Sequence, residues 1–336
     1  MILPVDPAAQ FIVHRPVLGY ADESRIFTLA KGWMEDCRRD HPETCRRNTE
    51  VALPTRLIDV SGRDSDPDIR LHISRPDEVG EYMALSYCWG GGQQVVTTRA
   101  NIHDMKKRIT LSSLPLTLQD AVRVTRKMGH RYLWIDALCI VQDSHEDKGR
   151  EIQRMGSIYK NASLTISAAT ASAVSQGFLG RRPKPLPSCK WQLDIPGHGP
   201  HTIFISTRPG TIQDYRPYDP LDDRGWTLQE SLLSPRLLVF SEQEPLWHCQ
   251  AARFKKAEGG YLDYWDWREP LPGYVFIDSS LDGSSVTPKE RRKLWLDIVD
   301  NLIRRLLSDK KDRLSAIAGI AAELQRHWKD DYLFGH

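Results

Sequence analysis

Residues 132–169, YLWIDALCIVQDSHEDKGREIQRMGSIYKNASLTISAA, constrain the fold more tightly than any other stretch of the chain. A nearly unbroken apolar run over 132–141 is followed by a polar loop, a helical pattern and a second apolar run over 164–169. Apolar runs without alternation suit strands that are covered on both faces. Asp136 interrupts the first run, and a carboxylate buried there needs a partner. Ser144 followed by Asp147 fits a capping box, so a helix should start near His145. Ile152, Met155 and Tyr159 recur at helical spacing and set its inward face. Glu151 lies beside that face, early in the helix, where it could look toward the end of the sheet.

The preceding segments extend the alternation. Residues 54–74 read as a β-hairpin, and 82–88 (YMALSYC) as a strand that runs into Trp89-Gly90-Gly91-Gly92. Glycines at the carboxyl end of a strand let backbone approach a ligand, although a tight turn explains them equally well. Neither GxGxxG nor GxxxxGK[ST] follows, so there is no dinucleotide fingerprint and no P-loop. A helix follows from Leu114, with Thr117 and Asp120 as its cap, Leu118, Ala121, Val122, Thr125 and Met128 inward, and Gly129 just past its end. Residues 82–169 thus read strand, helix, strand, helix, strand. That order predicts an α/β fold with a mostly parallel sheet, covering helices, and hairpin and helical elaborations.

Beyond residue 169 the pattern loosens. The stretch KPLPSCKW reads as a connection and HTIFIS as a strand. The segment RGWTLQESLLSPRLLVF gives a helix from about Thr227 to Pro235, a strand over 237–240 and a hairpin partner over 246–249. Residues 255–285 read as an irregular insertion, and two amphipathic helices, 288–308 and 312–328, follow.

Composition excludes several classes. With 46 basic against 44 acidic residues the formal charge is only +2, so no nucleic-acid partner is expected. No apolar run approaches the ~20 residues of a membrane span, and the first residues do not form a signal peptide. Six cysteines in 336 residues are too few for a disulfide scaffold, which points to reduced thiols and a cytoplasmic location. Cys37, His41 and Cys45 are of zinc-ligand type. Pro42 interrupts a common helix and no fourth ligand is adjacent, so a small buried cluster without a metal is expected.

Several groups have side chains suited to a site. Arg224, Trp226, Gln229 and Glu230 cluster within seven residues, and an aromatic, a guanidinium and a carboxylate together can hold a nucleotide. An Arg224–Glu230 structural ion pair is the competing account. Asp136 is either a site residue or a brace for neighbouring backbone. Ser86 and Tyr87 offer hydroxyls, and Trp89 a stacking face. Glu151 competes between a site role and surface pairing with Lys148 or Arg154 at helical spacing. Cys139 with His130 or His145 lacks any hydrolase signature and reads as an inert core thiol.

Taken together, YMALSYCWG (82–90), LPLTLQDAVRVTRKMGHRYLWIDALCIVQDS (114–144), EIQRMGSIYKNASLTISAA (151–169) and RGWTLQESLLSPR (224–236) resemble the HET (heterokaryon incompatibility) domain of filamentous fungi. LPTRLIDV and DRLSAIAGIA resemble its usual flanks. The resemblance implies an N-terminal helical arm over 1–50, a HET domain over 51–255 with its core at 82–240, and a loop insertion with C-terminal helices over 256–336. The family often continues beyond YLFGH, so a longer natural chain is expected. Membership implies a role in fungal non-self recognition and cell death, through self-association and an unknown protein activator. It also implies a TIR-like fold, and several TIR domains cleave NAD at the nicotinamide–ribose bond with one helix glutamate. Glu151 matches that glutamate in context, with Glu230 as its rival. NAD is then a substrate and no cofactor is required. Ser86, Tyr87, Trp89, Gly90, Asp136, Arg224 and Trp226 complete the expected pocket. Many relatives carry a tryptophan where Lys148 stands, so this chain departs from the family there. The alternative is a non-catalytic HET module that recruits cell-death partners.

Overall fold

The structure, a computed structural model, describes residues 24–45, 50–62, 67–92, 95–180, 188–197, 199–206, 219–241, 245–256, 271–276 and 286–329. In chain order the elements begin with α1 (Ser24–Asp40), β1 (Arg56–Asp59), β2 (Arg70–Ile73), β3 (Met83–Ser86), α2 (Ile102–Lys107) and α3 (Leu116–Lys127). They continue with β4 (Tyr132–Trp134), α4 (Asp136–Cys139), α5 (His145–Asn161), β5 (Leu164–Ser167), β6 (Ser188–Ile195) and β7 (Gly199–Ser206). The last are α6 (Gly225–Leu233), β8 (Arg236–Phe240), β9 (Pro245–Cys249), β10 (Ala252–Lys256), α7 (Pro288–Ile303) and α8 (Ser315–Trp328).

One sheet of eight strands runs in the order β10-β9-β8-β5-β3-β4-β1-β2. Its centre, β8-β5-β3-β4, is parallel, and antiparallel pairs close both edges. Every residue of β3, β5 and β8 is buried, as a sheet covered on both faces requires. From β3 the chain steps to β4 on one side, then crosses back over β3 to β5 and on to β8. The β3/β5 boundary is therefore a topological switch point, where open α/β sheets leave a crevice at the carboxyl ends of the strands. Helices α5, α6 and α8 pack on one another. Gly156 of α5 and Gly319 of α8 allow that packing, because a Cβ on Gly156 would lie 2.8 Å from the Gly319 Cα. A second cluster of buried side chains joins α6, α7 and α8 with Leu271 and Val275.

The hairpin over 54–74, the strand into Trp89, the Ser144 cap and the hairpin β8–β9 agree with the sequence reading. Ser144 accepts a hydrogen bond from the Asp147 N–H at 3.3 Å, and Gly129 takes φ +78° just past α3. Three expectations are corrected. The apolar run 132–141 is not one strand: β4 ends at Trp134, and Asp136 opens the helical turn α4. Apolar continuity cannot separate a buried strand from a buried helical turn, and here the Asp136 carboxylate accepts the Ala137 N–H at 2.6 Å. Cys139 therefore lies in α4, fully buried, with its thiol pushed up to about 12 by burial. Thr117 and Asp120 do not cap α3, which begins after Pro115 with no side-chain cap bond. Asp120 instead accepts the N–H groups of Phe178 and Leu179 at 2.8 and 3.0 Å, and so ties down the loop after β5. Finally, residues from Ser188 do not form a connection but pair as β6 with β7 in a separate hairpin. Most of the stretch 255–285 lies outside the described residues.

Among the described residues, no helix is long and apolar enough to cross a membrane. Helix α1 rests on β9, with Trp33 and Trp247 ring centroids 6.3 Å apart.

Candidate functional site

A cleft of about 910 Å³ opens at the carboxyl ends of the parallel strands. Tyr87, Cys88 and Trp89 enter it from the end of β3, Asp136 from the end of β4, and Ser172 from the loop after β5. Helix α5 contributes His145, Lys148, Ile152 and Met155, while Arg224, Trp226 and Glu230 come from the start and middle of α6. The far wall is the segment 306–309 with Asp312. That segment zips onto α6: the Gly225 N–H donates to the Leu306 carbonyl at 2.7 Å and the Leu306 N–H to that of Asp223 at 2.5 Å.

Glu230 is a strongly perturbed carboxyl of the cleft. It is 7% exposed and accepts a short hydrogen bond from the Ser86 hydroxyl. Burial pushes its pKa up to about 7; the nearby Asp136 charge adds to the rise, while Ser86, Arg224 and Tyr159 oppose it. Asp136 is also raised, again by burial, against the stabilising contacts of the Tyr87 hydroxyl, the Ala137 N–H and the Trp89 indole. The Trp89 Nε1 donates to Asp136 Oδ2 at 2.9 Å, and the Trp226 Nε1 to Asp312 Oδ2 at 3.3 Å. Each indole of the cleft is thus oriented by a carboxylate. Arg224 and Glu230 form no ion pair, so the structural pairing expected for them is replaced by the Ser86–Glu230 bond.

Glu151 does not line the cleft. It is 1% exposed and accepts from the Thr55 hydroxyl at 2.8 Å and from Arg150 Nε at 3.4 Å, with Arg56 Nη2 3.9 Å away. Arg56 also donates to Asp147 Oδ2 and to the Cys139 carbonyl, both at 2.5 Å. Burial would raise the Asp147 pKa, but Arg56 and the Val141 N–H outweigh it and hold the carboxylate below its ordinary range. Glu151 and Asp147 share a flank of α5 that faces β1, next to the face holding His145, Lys148, Ile152 and Met155. The pairing is therefore buried and made with Thr55, Arg56 and Arg150, rather than at the surface with Lys148 or Arg154. Gly90 is also outside the cleft. Its φ of +70° and a would-be Cβ only 2.2 Å from the Ala173 Cβ show a backbone crossing that only glycine permits.

Of the expected residues, then, Tyr87, Trp89, Asp136, Arg224, Trp226 and Glu230 meet at the cleft, with Ser86 directly beneath Glu230. His145 was missed as a site residue, while Lys148, the position that the resemblance singled out, stands beside it; the two extend the Ile152–Met155 face by two turns toward the helix start. The wall from 306 to 312 carried no local signal.

Residues 82–230 match the family described as Heterokaryon incompatibility protein (HET). That match spans the part of the chain that carries the cleft's floor, from Tyr87 to Glu230, and the outer wall lies beyond it. Heterokaryon incompatibility protein 6, OR allele, of Neurospora crassa is 33% identical over 93 residues, which covers 25% of this chain and 14% of that protein. No solved structure matches the chain significantly. Lys148 stands on the cleft wall and presents a cation there.

Proposed function

We propose that this HET domain promotes incompatibility-type cell death in a fungal cytoplasm, and that its cleft hydrolyses the nicotinamide–ribose bond of NAD. The observation that carries the reading is Glu230: a buried carboxyl, titrating near neutrality, on the wall of a cleft at the switch point of a parallel sheet. Sites of about this volume hold nucleotide-sized ligands, and perturbed carboxyls concentrate at such positions. Arg224 offers a cation for a phosphate, and Trp89 and Trp226 offer aromatic surface for a base or the nicotinamide ring.

In the reaction the bond from C1′ of the ribose to the nicotinamide nitrogen breaks, and its electron pair leaves with the ring. Nicotinamide departs neutral, so little acid assistance is needed. The positive charge left on the ribose is stabilised by an ionised carboxylate, the part assigned to Glu230. Water then adds at C1′, giving ADP-ribose and a proton. The assignment moves the essential glutamate from Glu151 to Glu230.

The test is release of nicotinamide from NAD by concentrated protein, for the unaltered chain and for Glu230→Gln and Glu151→Gln. Loss in Glu230→Gln with retention in Glu151→Gln supports the reading. Absence of release at every protein concentration and assembly state overturns it. A second reading, a HET module that works by assembly, is favoured by Leu296 and Ile303 of α7, which are 52% and 59% exposed and seven residues apart. Light scattering over a concentration series, with Ile303→Glu beside the unaltered chain, decides whether that face associates.

A further inference from the structure

Three cysteines and a histidine converge at the end of the sheet remote from the cleft. Cys37 is in the last turn of α1, and the helical spacing persists beyond Asp40. The His41 N–H donates to the Cys37 carbonyl at 3.0 Å, and the Cys45 N–H to the His41 carbonyl at 2.8 Å. Residues four apart on a helical path share a side, so all three side chains point the same way. The side they share meets β9, whose last residue is Cys249. The fourth ligand that the sequence did not reveal is thus supplied from 204 residues further on.

The donor atoms, three Sγ and one imidazole nitrogen, all lie within 4.8 Å of one another. The three cysteines are 2%, 0% and 1% exposed. Cys249 Sγ is 3.6 Å from His41 Nδ1. Tetrahedral zinc with Zn–S of about 2.3 Å and Zn–N of about 2.05 Å has an S···N edge of about 3.6 Å and S···S edges of about 3.8 Å. One edge already has that length, and closing the others needs a contraction of at most about 1 Å.

Charge points the same way. Arg236, the first residue of β8 and the partner of Cys249 in the sheet, is fully buried beside the cluster. Its Nε donates to Cys37 Sγ at 3.2 Å, its Nη1 to the Ser163 carbonyl at 3.2 Å and its Nη2 to the Cys45 carbonyl. Zinc with three thiolates and one neutral imidazole carries a net charge of −1, which the guanidinium balances. Hydrogen bonds from such a neighbour also orient the ligands. A disulfide would occupy two of the thiols and leave the third and the imidazole without a task.

We propose that Cys37, His41, Cys45 and Cys249 form a closed, structural zinc site that clamps α1 to β9. Four protein ligands leave no position for a substrate, which sets it apart from a catalytic metal centre. Binding displaces the three thiol protons, so loading is opposed by acid.

The experiment uses the full chain, expressed in zinc-supplemented medium and purified without chelators. Elemental analysis is expected to give one zinc per chain, and a chelator is expected to lower the melting temperature. The cobalt-exchanged protein should show the intense visible absorption of a tetrahedral site. His41→Cys should keep the metal and shift that absorption as sulfur replaces nitrogen. Cys249→Ser should fall to well below one metal per chain; if it fails to fold, the cobalt spectra of the unaltered chain and His41→Cys still decide. Folded, reduced protein that holds no zinc even after anaerobic reconstitution overturns the proposal. So does a Cys37, Cys45 or Cys249 disulfide found by mass spectrometry in protein purified under reducing conditions.

Discussion

Replacing Glu230 by glutamine removes a titration from the interior of the cleft while keeping an oxygen that can accept from Ser86. In the unfolded chain this glutamate ionises near its ordinary value of 4.5, whereas in the folded protein burial delays ionisation to about 7. Below pH 4.5 both states hold the proton and the group contributes no pH dependence. Between 4.5 and 7 the folded state keeps a proton that the unfolded state has lost, so stability falls as pH rises. Above 7 the loss is complete. At about 1.4 kcal/mol per pH unit the penalty amounts to about 3 kcal/mol. Glu230→Gln should therefore match the unaltered chain near pH 4, lead it by only about 1 kcal/mol at pH 5 and exceed it by about 3 kcal/mol at pH 8, while losing NAD hydrolysis. Urea unfolding followed by tryptophan fluorescence at pH 5, 6, 7 and 8 measures this. Comparing the two proteins at each pH cancels every titration they share, the metal-type cluster included. A stability difference that stays constant over this range would refute the buried-carboxyl argument.

Asp136→Asn removes the like charge that helps raise Glu230, so the midpoint of the same difference curve should move below pH 7. NAD hydrolysis by the unaltered chain should rise with pH as Glu230 ionises, and Asp136→Asn should move that rise to lower pH as well. Arg56→Met strands Asp147 and Glu151 in the interior and is expected to cost about 3–5 kcal/mol in urea unfolding, with turnover per folded molecule preserved. Gly90→Ala should cost at least about 2 kcal/mol, because it combines a left-handed backbone with a 2.2 Å clash against Ala173; melting by circular dichroism reads it directly.

The alternation of strands and helices was legible because buried parallel strands leave long apolar runs, and Tyr87, Trp89, Asp136, Trp226 and Glu230 could be picked as site residues from their types and neighbours. What the sequence could not settle was direction. Glu151 and Lys148 are three residues apart on α5, and only the packing of Thr55 and Arg56 against one flank turns Glu151 inward and leaves Lys148 on the cleft. Asp136 was legible as an anomaly in an apolar run, but its aim depends on the chain leaving the strand one residue earlier, at Ile135. Cys249 and the segment 306–312 were illegible for a simpler reason. Each completes a group of residues through a contact that spans most of the fold, and no local pattern encodes such a meeting.

The outer wall of the cleft, 306–312, comes from beyond the segment that matches the HET family, while the floor with Asp136 and Glu230 lies within it. Floor and wall therefore come from separate parts of the chain, so one can be altered while the other is kept. A chimera that exchanges residues 300–329 between two HET chains would keep the reaction and change the guest. On the proposed reading, that division lets what the cleft admits change while the carboxyls beneath it stay as they are.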